Sequence, residues 1–289
     1  MQTKNKAIKA LIGAGFEVFD FKKLEHSIFS VPTYKIRAGF SEPEPAEKKE
    51  PDLIFDKVIQ GTREEIKRTP GETFDISRMV GASDWRQAFR AIQTVCVETV
   101  FNKGDFINVS FDVPAAVIKG VAFEELHIEG KVIVVTVKDG KVLFNFDDII
   151  FRSPINNKNK NEGGFHASAL AEYLNTTFLD AFGIADVLQS YVFGKISLLS
   201  AYELFGEGDD WEPSSDFFAT PEQYEQFENE KNRVKSFENE THWYWTSSPS
   251  ASSAASFCVC YTRGFSNYTI ASSAGGVAPA FCVASATPI

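Results

Sequence analysis

Three short segments in the C-terminal half carry the clearest structural signals of the chain. They are KISLLSAYELFG at residues 195–206, YWTSSP at 244–249 and GVAPAF at 276–281. In the first, Ser200 precedes Glu203 by three positions, which is the spacing of a capping box and predicts a short helix after Ser200. After Trp243 no helical period remains, and the sequence predicts short strands separated by Gly, Ser and Asn.

Upstream of these segments the sequence mixes helical and strand patterns. Apolar and polar residues alternate over residues 106–112, which predicts a strand with one solvent-facing side. Asp139-Gly140 stands between two β-branched runs and predicts a hairpin. Helices are predicted over residues 85–96, with Ser83 as the N-cap, and over residues 170–182. The expected fold class is therefore α+β.

Composition and charge exclude several classes of protein. The chain has 289 residues, 44% of them hydrophobic and 24% charged, so it can bury a sizeable core and is not globally disordered. Its formal net charge of -10 argues against nucleic-acid binding, because phosphate contacts need dense Lys and Arg. No apolar run approaches the ~18 residues of a membrane-spanning helix, so we expect no membrane insertion. Lys9, Glu17 and Asp20 interrupt the apolar N-terminal stretch, so we expect no signal peptide.

Charge is unevenly distributed along the chain. Residues 202–240 hold twelve acidic and three basic residues, whereas Arg263 is the only charged residue after Trp245. Such a division indicates two surfaces with different roles. Within the acidic part, the spacing of Thr220 and Gln223 predicts a second capped helix.

The N-terminal part differs from the rest in composition. SEPEPAEKKEPD at residues 41–52 has three prolines, dense charge and no aromatic residue, which is typical of an extended linker. We therefore expect a small N-terminal region over residues 1–75 and a larger domain over residues 76–289.

No motif for nucleophilic catalysis stands out. The four histidines have no Ser or Cys at a meaningful spacing, and the chain has neither a P-loop nor a G-x-G-x-x-G motif. The four cysteines are too few for a disulfide scaffold and fit a protein made in a reducing cytosol. Cys258 and Cys260 would share one face of a strand, but no C-x-x-C or H-x-x-x-H supplies further metal ligands. Structural thiols are the simpler interpretation.

An acidic loop invites a calcium hypothesis, because hard cations prefer several carboxylates. The loop lacks EF-hand spacing, and a solvated acidic surface is the alternative interpretation. Its carboxylates are Glu207, Asp209, Asp210, Glu212 and Asp216.

Taken together, the three C-terminal segments resemble landmarks of C-type-lectin-fold proteins of bacterial and phage surfaces. The order LLS…E, W-x-x-S, G-V-x-P-A-F is similar to that of the variable proteins of diversity-generating retroelements, which include major tropism determinant-like receptor-binding proteins of phages. Upstream, FNKGD at residues 101–105 resembles the first strand of such domains. The resemblance covers about residues 80–286. It implies a C-type lectin fold with an additional small N-terminal region.

Two departures from the family pattern limit what the resemblance implies. Ala278 stands where members often have Arg, so one family contact is missing. The Glu-Pro-Asn and Trp-Asn-Asp motifs of calcium-dependent lectins are absent, and Glu212-Pro213-Ser214 is not a convincing substitute. Sugar binding through calcium is therefore not implied.

The resemblance implies a variable region over residues 243–284. Retroelements of this class randomise adenines, mainly in Asn-type codons, and this scheme cannot produce Lys, Glu, Gln, Met or Trp. All five residue types are absent from residues 246–289. A plain Ser- and Ala-rich sheet edge would also lack them.

We expect eleven residues of this region to form one exposed ligand-contacting face, with no catalytic residue, metal or cofactor. Tyr, Ser and Asn also dominate antibody paratopes, and Tyr261 and Tyr268 are the expected aromatic anchors. Trp245 and Phe281 are expected in the buried scaffold. The eleven residues are Ser250, Ser252, Ser253, Cys258, Cys260, Tyr261, Phe265, Asn267, Tyr268, Ser272 and Ser273.

The expected function is non-enzymatic ligand or receptor binding, by a phage tail protein of the virion or by an adhesin of the bacterial surface. The partner would be a protein or glycan on a host or neighbouring cell. The N-terminal region would attach the domain to a phage tail or surface scaffold, and a homotrimer is expected by analogy. Two alternatives stay open. One is a formylglycine-generating-like oxidase that uses Cys258 and Cys260, and the other is a purely structural virion component.

Overall fold

The computed structural model describes residues 71–191 and 193–285. The predicted linker at residues 41–52 and nearly all of the expected N-terminal region lie outside the described residues. The described part combines short helices with two five-stranded sheets. Its class is therefore α+β, as the sequence predicts.

Helices and strands follow one another along the described residues. The helices are α1 (Ile76–Met79), α2 (Trp85–Ile92), α3 (Val97–Val100), α4 (Ala169–Tyr173), a π-helical turn (Leu174–Phe178), α5 (Leu179–Phe182) and α6 (Ala201–Phe205), with 3-10 turns at Phe165–Ala167, Glu225–Phe227 and Glu230–Arg233. The strands are β1 (Phe106–Val113), β2 (Ala116–Ile118), β3 (Val121–Phe123), β4 (Leu126–Lys138), β5 (Lys141–Phe146), β6 (Phe151–Ser153), β7 (Ile196–Ser197), β8 (Lys235–Phe237), β9 (Glu240–His242), β10 (Tyr244–Pro249), β11 (Ser256–Cys260), β12 (Ser266–Ile270), β13 (Gly275–Val277) and β14 (Ala280–Ala284).

The ten strands of the two larger sheets are not arranged in chain order. Sheet 1 has the order β1-β4-β5-β14-β7, and sheet 2 has the order β12-β11-β10-β13-β6. In sheet 1 the late strand β14 lies beside β5, with Phe281 opposite Phe144. Sheet 2 is built from strands that lie between β5 and β14 in the chain, and its β10 and β13 run parallel. The C-terminal strand thus closes the domain against its early strands.

Aromatic rings fill the core beside sheet 1. The Phe281 ring lies 5.5 Å from that of Phe89, 5.7 Å from that of Phe144 and 5.2 Å from that of Phe182, measured between centroids. Phe281 and Trp245 are 0% and 1% exposed, so the prediction that both belong to the buried scaffold is confirmed. Trp245 also donates its indole N–H to the Ser153 carbonyl at 2.9 Å, which satisfies its polar atom inside the core.

Local signals in the sequence predict several elements correctly. Asp139 and Gly140 join β4 to β5 with φ values of 53° and 70°, as a two-residue hairpin turn with right-twisted strands requires. The capping box forms at the start of α6, where both of its reciprocal hydrogen bonds are present. The helix predicted over residues 170–182 is present as α4, the π-helical turn and α5 in direct succession.

Two helix predictions need correction. The N-cap of α2 is Asp84 rather than Ser83, because the Asp84 carboxylate accepts from the Gln87 N–H at 3.0 Å, and the helix ends at Ile92, short of residue 96. The segment after Thr220 is not a capped helix. It stays extended and then forms two 3-10 turns, because the Tyr224 hydroxyl reaches Glu203 at 2.7 Å and pulls this segment onto α6.

Candidate binding surface

The exposed hydrophobic side chains of the domain are concentrated at one place. Among residues 71–191 and 193–285, six large hydrophobic side chains are exposed. Four of these six lie within ten residues: Tyr261, Phe265, Tyr268 and Ile270. They belong to the turn after β11 and to β12, and we call β11, the turn at residues 261–265 and β12 the edge hairpin. Tyr261 and Phe265 contact each other in the turn, and Tyr268 and Ile270 share one face of β12, so the edge hairpin offers more apolar surface than isolated exposed residues do.

The turn of the edge hairpin is closed by its own backbone and anchored from outside. The Tyr261 N–H donates to the Phe265 carbonyl at 2.8 Å, and the two rings lie 5.5 Å apart. Gly264 has φ of 83°, and a Cβ there would lie 2.0 Å from the carbonyl oxygen of Glu230. Only glycine fits this close approach.

A buried arginine anchors the turn. Arg233 is 9% exposed, and its guanidinium donates to the Gly264 carbonyl at 3.1 Å. The same group donates to the carbonyls of Phe227 at 2.5 Å and Glu228 at 3.2 Å. Three backbone carbonyls thus share one fixed cation, which ties the turn to the 3-10 segment beneath it.

The loop between β10 and β11, at residues 250–255, is held by two polar side chains. The Asn161 amide donates to the carbonyls of Ser250, Ser253 and Ser256, at 3.2, 2.9 and 3.0 Å. Asp210 accepts from the Ser250 hydroxyl at 3.0 Å and from the Ser252 N–H at 3.0 Å. These hydrogen bonds fix the conformation of the serine loop.

The expected face is divided between two ends of the edge hairpin. Ser256 pairs with Ile270, so the serine loop and Ser272 lie at one end, and the turn lies at the other. The five residues of β12 separate these ends by roughly 17 Å at ~3.4 Å per residue. Ser272 is itself held there by a 2.5 Å hydrogen bond to Asn159. Because successive residues of a strand point to opposite faces, Asn267 and Tyr268 do not share a face either, so the eleven residues do not form the expected single face.

Three of the eleven predicted contact residues are buried rather than exposed. Cys258 and Cys260 are 0% exposed and Ser250 is 4% exposed. Asp210 covers Cys258, whose sulfur lies 3.7 Å from the Asp210 carbonyl, and Arg233 covers Cys260, with 3.5 Å between sulfur and carbonyl oxygen. The prediction that these three side chains lie on the open face is wrong. The other eight are exposed or half-buried.

Burial also determines the chemistry of the two thiols. Burial, with the Asp210 carboxylate nearby, raises the pKa of Cys258 to about 12. Burial raises the pKa of Cys260 to about 11 despite the opposing influence of Lys235 and Arg233. Both cysteines are therefore in the thiol form near neutral pH, whereas the thiolate is the nucleophile.

Two carboxylates of the acidic loop make structural contacts. Asp210 serves the serine loop, while Asp216 lies 2.9 Å from His166 Nε2 and also accepts from the Ser197 hydroxyl. Within the described ranges, no group of three or more His, Cys, Asp or Glu side chains is arranged to hold a metal ion. The same ranges contain no helix long and apolar enough to cross a membrane.

Of the residues that hold the surface, Arg233 and Asn161 were not predicted from sequence, and Asp210 was considered only as a possible calcium ligand. Arg233, Asn161 and Asp210 are ordinary charged and polar residues in loops and turns, and no spacing rule links them to residues 250–264. One signal was available for Gly264, because a glycine between Arg263 and Phe265 is typical of a tight turn.

A comparison with protein families finds a match in the C-terminal part of the chain. A family model described as "Domain of unknown function (DUF6273)" matches residues 185–285. This segment contains α6, the whole edge hairpin and β14. No curated protein and no solved structure matches the chain.

Proposed function

We propose that this chain is a non-enzymatic ligand-binding protein with a C-type lectin fold, and that the edge hairpin contacts the ligand. The observation that carries the proposal is the concentration of four of six exposed large hydrophobic side chains in residues 261–270. Tyr261, Phe265 and Tyr268 offer aromatic area, and aromatic residues dominate the energetics of binding surfaces.

The lectin-like fold is supported by the way in which the three sequence landmarks meet. The Ala201 N–H at the start of α6 donates to the Ser248 hydroxyl at 2.9 Å, which joins the first landmark to the second. Tyr244 of the second pairs with Gly276 of the third in parallel register. Segments far apart in the chain thus form one contiguous scaffold. The pairing of β14 with β5 joins the third segment to the early strands of the domain.

The anchors of the surface support a diversifiable role. The Arg233 guanidinium and the Asn161 amide donate to backbone carbonyls of residues 250–264. A change of an exposed side chain at Ser252, Tyr261 or Phe265 leaves these bonds intact. The scaffold therefore tolerates variation at the positions that meet solvent.

The same proposal includes where the domain is displayed and which partner it binds. The domain would recognise a protein or glycan on a bacterial cell, from a phage tail or from a bacterial surface, with the N-terminal region as its attachment. Diversification by a retroelement requires a near-repeat of codons 243–284 beside a reverse transcriptase gene in the encoding DNA. Sequencing that neighbourhood tests this part independently of any binding assay.

The burial of the cysteines weighs against the oxidase alternative. A copper–thiolate mechanism at Cys258 and Cys260 needs accessible thiolates, whereas both thiols are 0% exposed and their pKa values are raised to about 12 and about 11.

The test of the binding proposal uses a double variant with a matched control. Tyr261→Ala with Tyr268→Ala should reduce cell-bound fluorescence at least tenfold, since each aromatic anchor is worth about 2 kcal/mol. The probe is labelled full chain added to intact cells of the bacterium that carries the gene, or of the host where a phage carries it, and read by flow cytometry. Val117→Ala removes a side chain that is 76% exposed on β2 and should leave binding unchanged. Full binding by a folded double variant would contradict the proposal.

A further inference from the structure

Strand β12 forms an open edge of sheet 2. It pairs with β11 on one side and ends the strand order on the other. Four of its five residues are exposed, and Thr269 is half-buried. An exposed edge strand presents unpaired backbone groups to any other extended chain.

The hydrogen-bond pattern identifies which residues face outward. Tyr261 bonds to Phe265, and the Ala271 N–H donates to the Ala255 carbonyl at 2.9 Å. Because hydrogen-bonded pairs alternate along an antiparallel ladder, Asn267 and Thr269 also bond to β11. The N–H and C=O groups of Ser266, Tyr268 and Ile270 therefore point away from the sheet.

This edge lacks most of the features that protect edge strands. It has no proline, no charged residue and no bulge in its register with β11. Two of the outward backbone groups already have a local partner. The Tyr268 N–H donates to Asn267 Oδ1 at 2.8 Å, and the Ile270 carbonyl accepts from the Ser273 N–H at 3.0 Å. A carbonyl accepts a second bond, and the Asn267 side chain is exposed and can rotate away.

Among the described residues, the other edges of sheets 1 and 2 are less suited to pairing. Strand β1 carries Asp112, β6 carries the exposed Arg152, and β7 consists of two buried residues. A chain with a net charge of -10 repels its own copies, and the repulsion is smallest where two copies meet through uncharged residues. No charged residue follows Arg263, so β12 and its C-terminal flank offer such a meeting place.

We propose that two copies of this chain pair edge to edge through β12, antiparallel, about a two-fold axis at Tyr268. This register places Ser266 opposite the partner's Ile270 and Tyr268 opposite the partner's Tyr268. The outward groups at positions 266, 268 and 270 are symmetric about residue 268, so the same three residues supply both sides of the interface. Two five-stranded sheets then become one ten-stranded sheet.

Edge pairing goes beyond the proposed ligand binding and is compatible with it. The pairing uses backbone groups in the plane of the sheet, whereas the ligand contacts use side chains that project from its faces. Two paired copies would present two Tyr261–Phe265 turns to one cell surface, which raises avidity. Because the association is measured without ligand, its failure and the failure of ligand binding are separate results.

The first test is sedimentation velocity of the full chain between roughly 5 and 200 µM, where weak association becomes visible. Wild type and Tyr268→Thr should form dimers as concentration rises. Tyr268→Pro should raise the dimer dissociation constant about tenfold or more, since proline removes an N–H that faces the partner and not β11. A monomer at every concentration, a trimer, or a dimer that Tyr268→Pro leaves unchanged would overturn the proposal.

A charge exchange keeps the test decisive if the proline variant does not fold. Tyr268→Glu and Tyr268→Lys each place like charges face to face on the axis and should be monomeric alone. Their equimolar mixture should dimerise. Hydrogen exchange supplies the residue-level readout: the amides of Ser266, Tyr268 and Ile270 should gain protection with concentration, while those of Asn267 and Thr269 are protected throughout. A mixture that stays monomeric, or protection gained elsewhere, would refute pairing through β12.

Discussion

Glu203 connects the first sequence landmark to the acidic segment, and its buried carboxylate makes stability depend on pH. It is 0% exposed and accepts from the Ser200 N–H at 2.7 Å, the Ser215 hydroxyl at 2.5 Å and the Tyr224 hydroxyl at 2.7 Å. Burial raises the pKa of Glu203 to about 7, although these three donors act in the opposite direction. The effect of burial is the larger one, because a charge in the interior loses its hydration.

The sign of the pH effect follows from that raised pKa. The folded state binds the Glu203 proton up to about pH 7, whereas the ordinary value of the pKa is 4.5. The contribution of Glu203 to stability is therefore fully present below pH 4.5, declines as the pH rises, and is lost above about pH 7. Each pH unit between the two pKa values, 4.5 and about 7, is worth roughly 1.4 kcal/mol. The whole interval therefore lowers the unfolding free energy by about 3 kcal/mol.

Glu203→Gln removes this dependence, because glutamine does not titrate and the Ser215 and Tyr224 hydroxyls can turn to accept from its amide. Urea unfolding followed by tryptophan fluorescence should show wild type losing about 2–3 kcal/mol relative to the variant between about pH 5 and pH 8. The buried Lys235, whose pKa burial lowers to about 8, is common to both proteins and cancels in the difference.

The matched control is Glu212→Gln, which changes an exposed carboxylate of the same acidic segment and should keep the wild-type pH dependence. Parallel pH profiles for wild type and Glu203→Gln would refute the assignment of the effect to Glu203.

Two further predictions concern the edge hairpin and its thiols. Gly264→Ala should lower the unfolding free energy, measured by denaturant titration, by about 1–3 kcal/mol more than Gly140→Ala does. The reason is that a Cβ at Gly264 meets the Glu230 carbonyl, whereas a Cβ at Gly140 meets open space. Equal losses would contradict the anchoring of the turn. A thiol reagent should label one cysteine of the native chain, the half-buried Cys96, and four after unfolding; rapid labelling that survives Cys96→Ser would show that the other thiols are accessible.

Elements governed by neighbouring residues could be predicted from sequence. Asp139-Gly140 specifies its own turn through two positive φ values, and Ser200 with Glu203 specifies the start of α6. The alternation of β1 also survives in the structure, since Ile107 and Val109 are buried while Asn108 is exposed. In each case the deciding contacts lie within a few residues in the chain.

Elements governed by distant residues could not be predicted in this way. The Ser-Phe-Cys-Val-Cys sequence of β11 suggests a strand with one open face, yet all five residues are buried. The cover comes from Asp210 and Arg233, which are 48 and 27 residues away from the cysteines that they contact. The failed helix after Thr220 has the same cause, because Tyr224 forms its hydrogen bond with Glu203 across 21 residues.

The eleven expected contact residues fall into two groups, according to whether the fold buries or exposes their side chains. Ser250, Cys258 and Cys260 use their side chains inside the fold, so any change there disturbs the packing that holds the hairpin. Tyr261 and Phe265 belong to a turn that Arg233 anchors through the Gly264 carbonyl, so their side chains are free to change. Ser272 is exposed but uses its hydroxyl to bond to Asn159. A surface diversified for recognition must confine variation to the second group, because loss of the first would unfold the site that it is meant to vary. The turn of the edge hairpin meets that requirement, because Arg233 anchors it through the backbone carbonyl of Gly264.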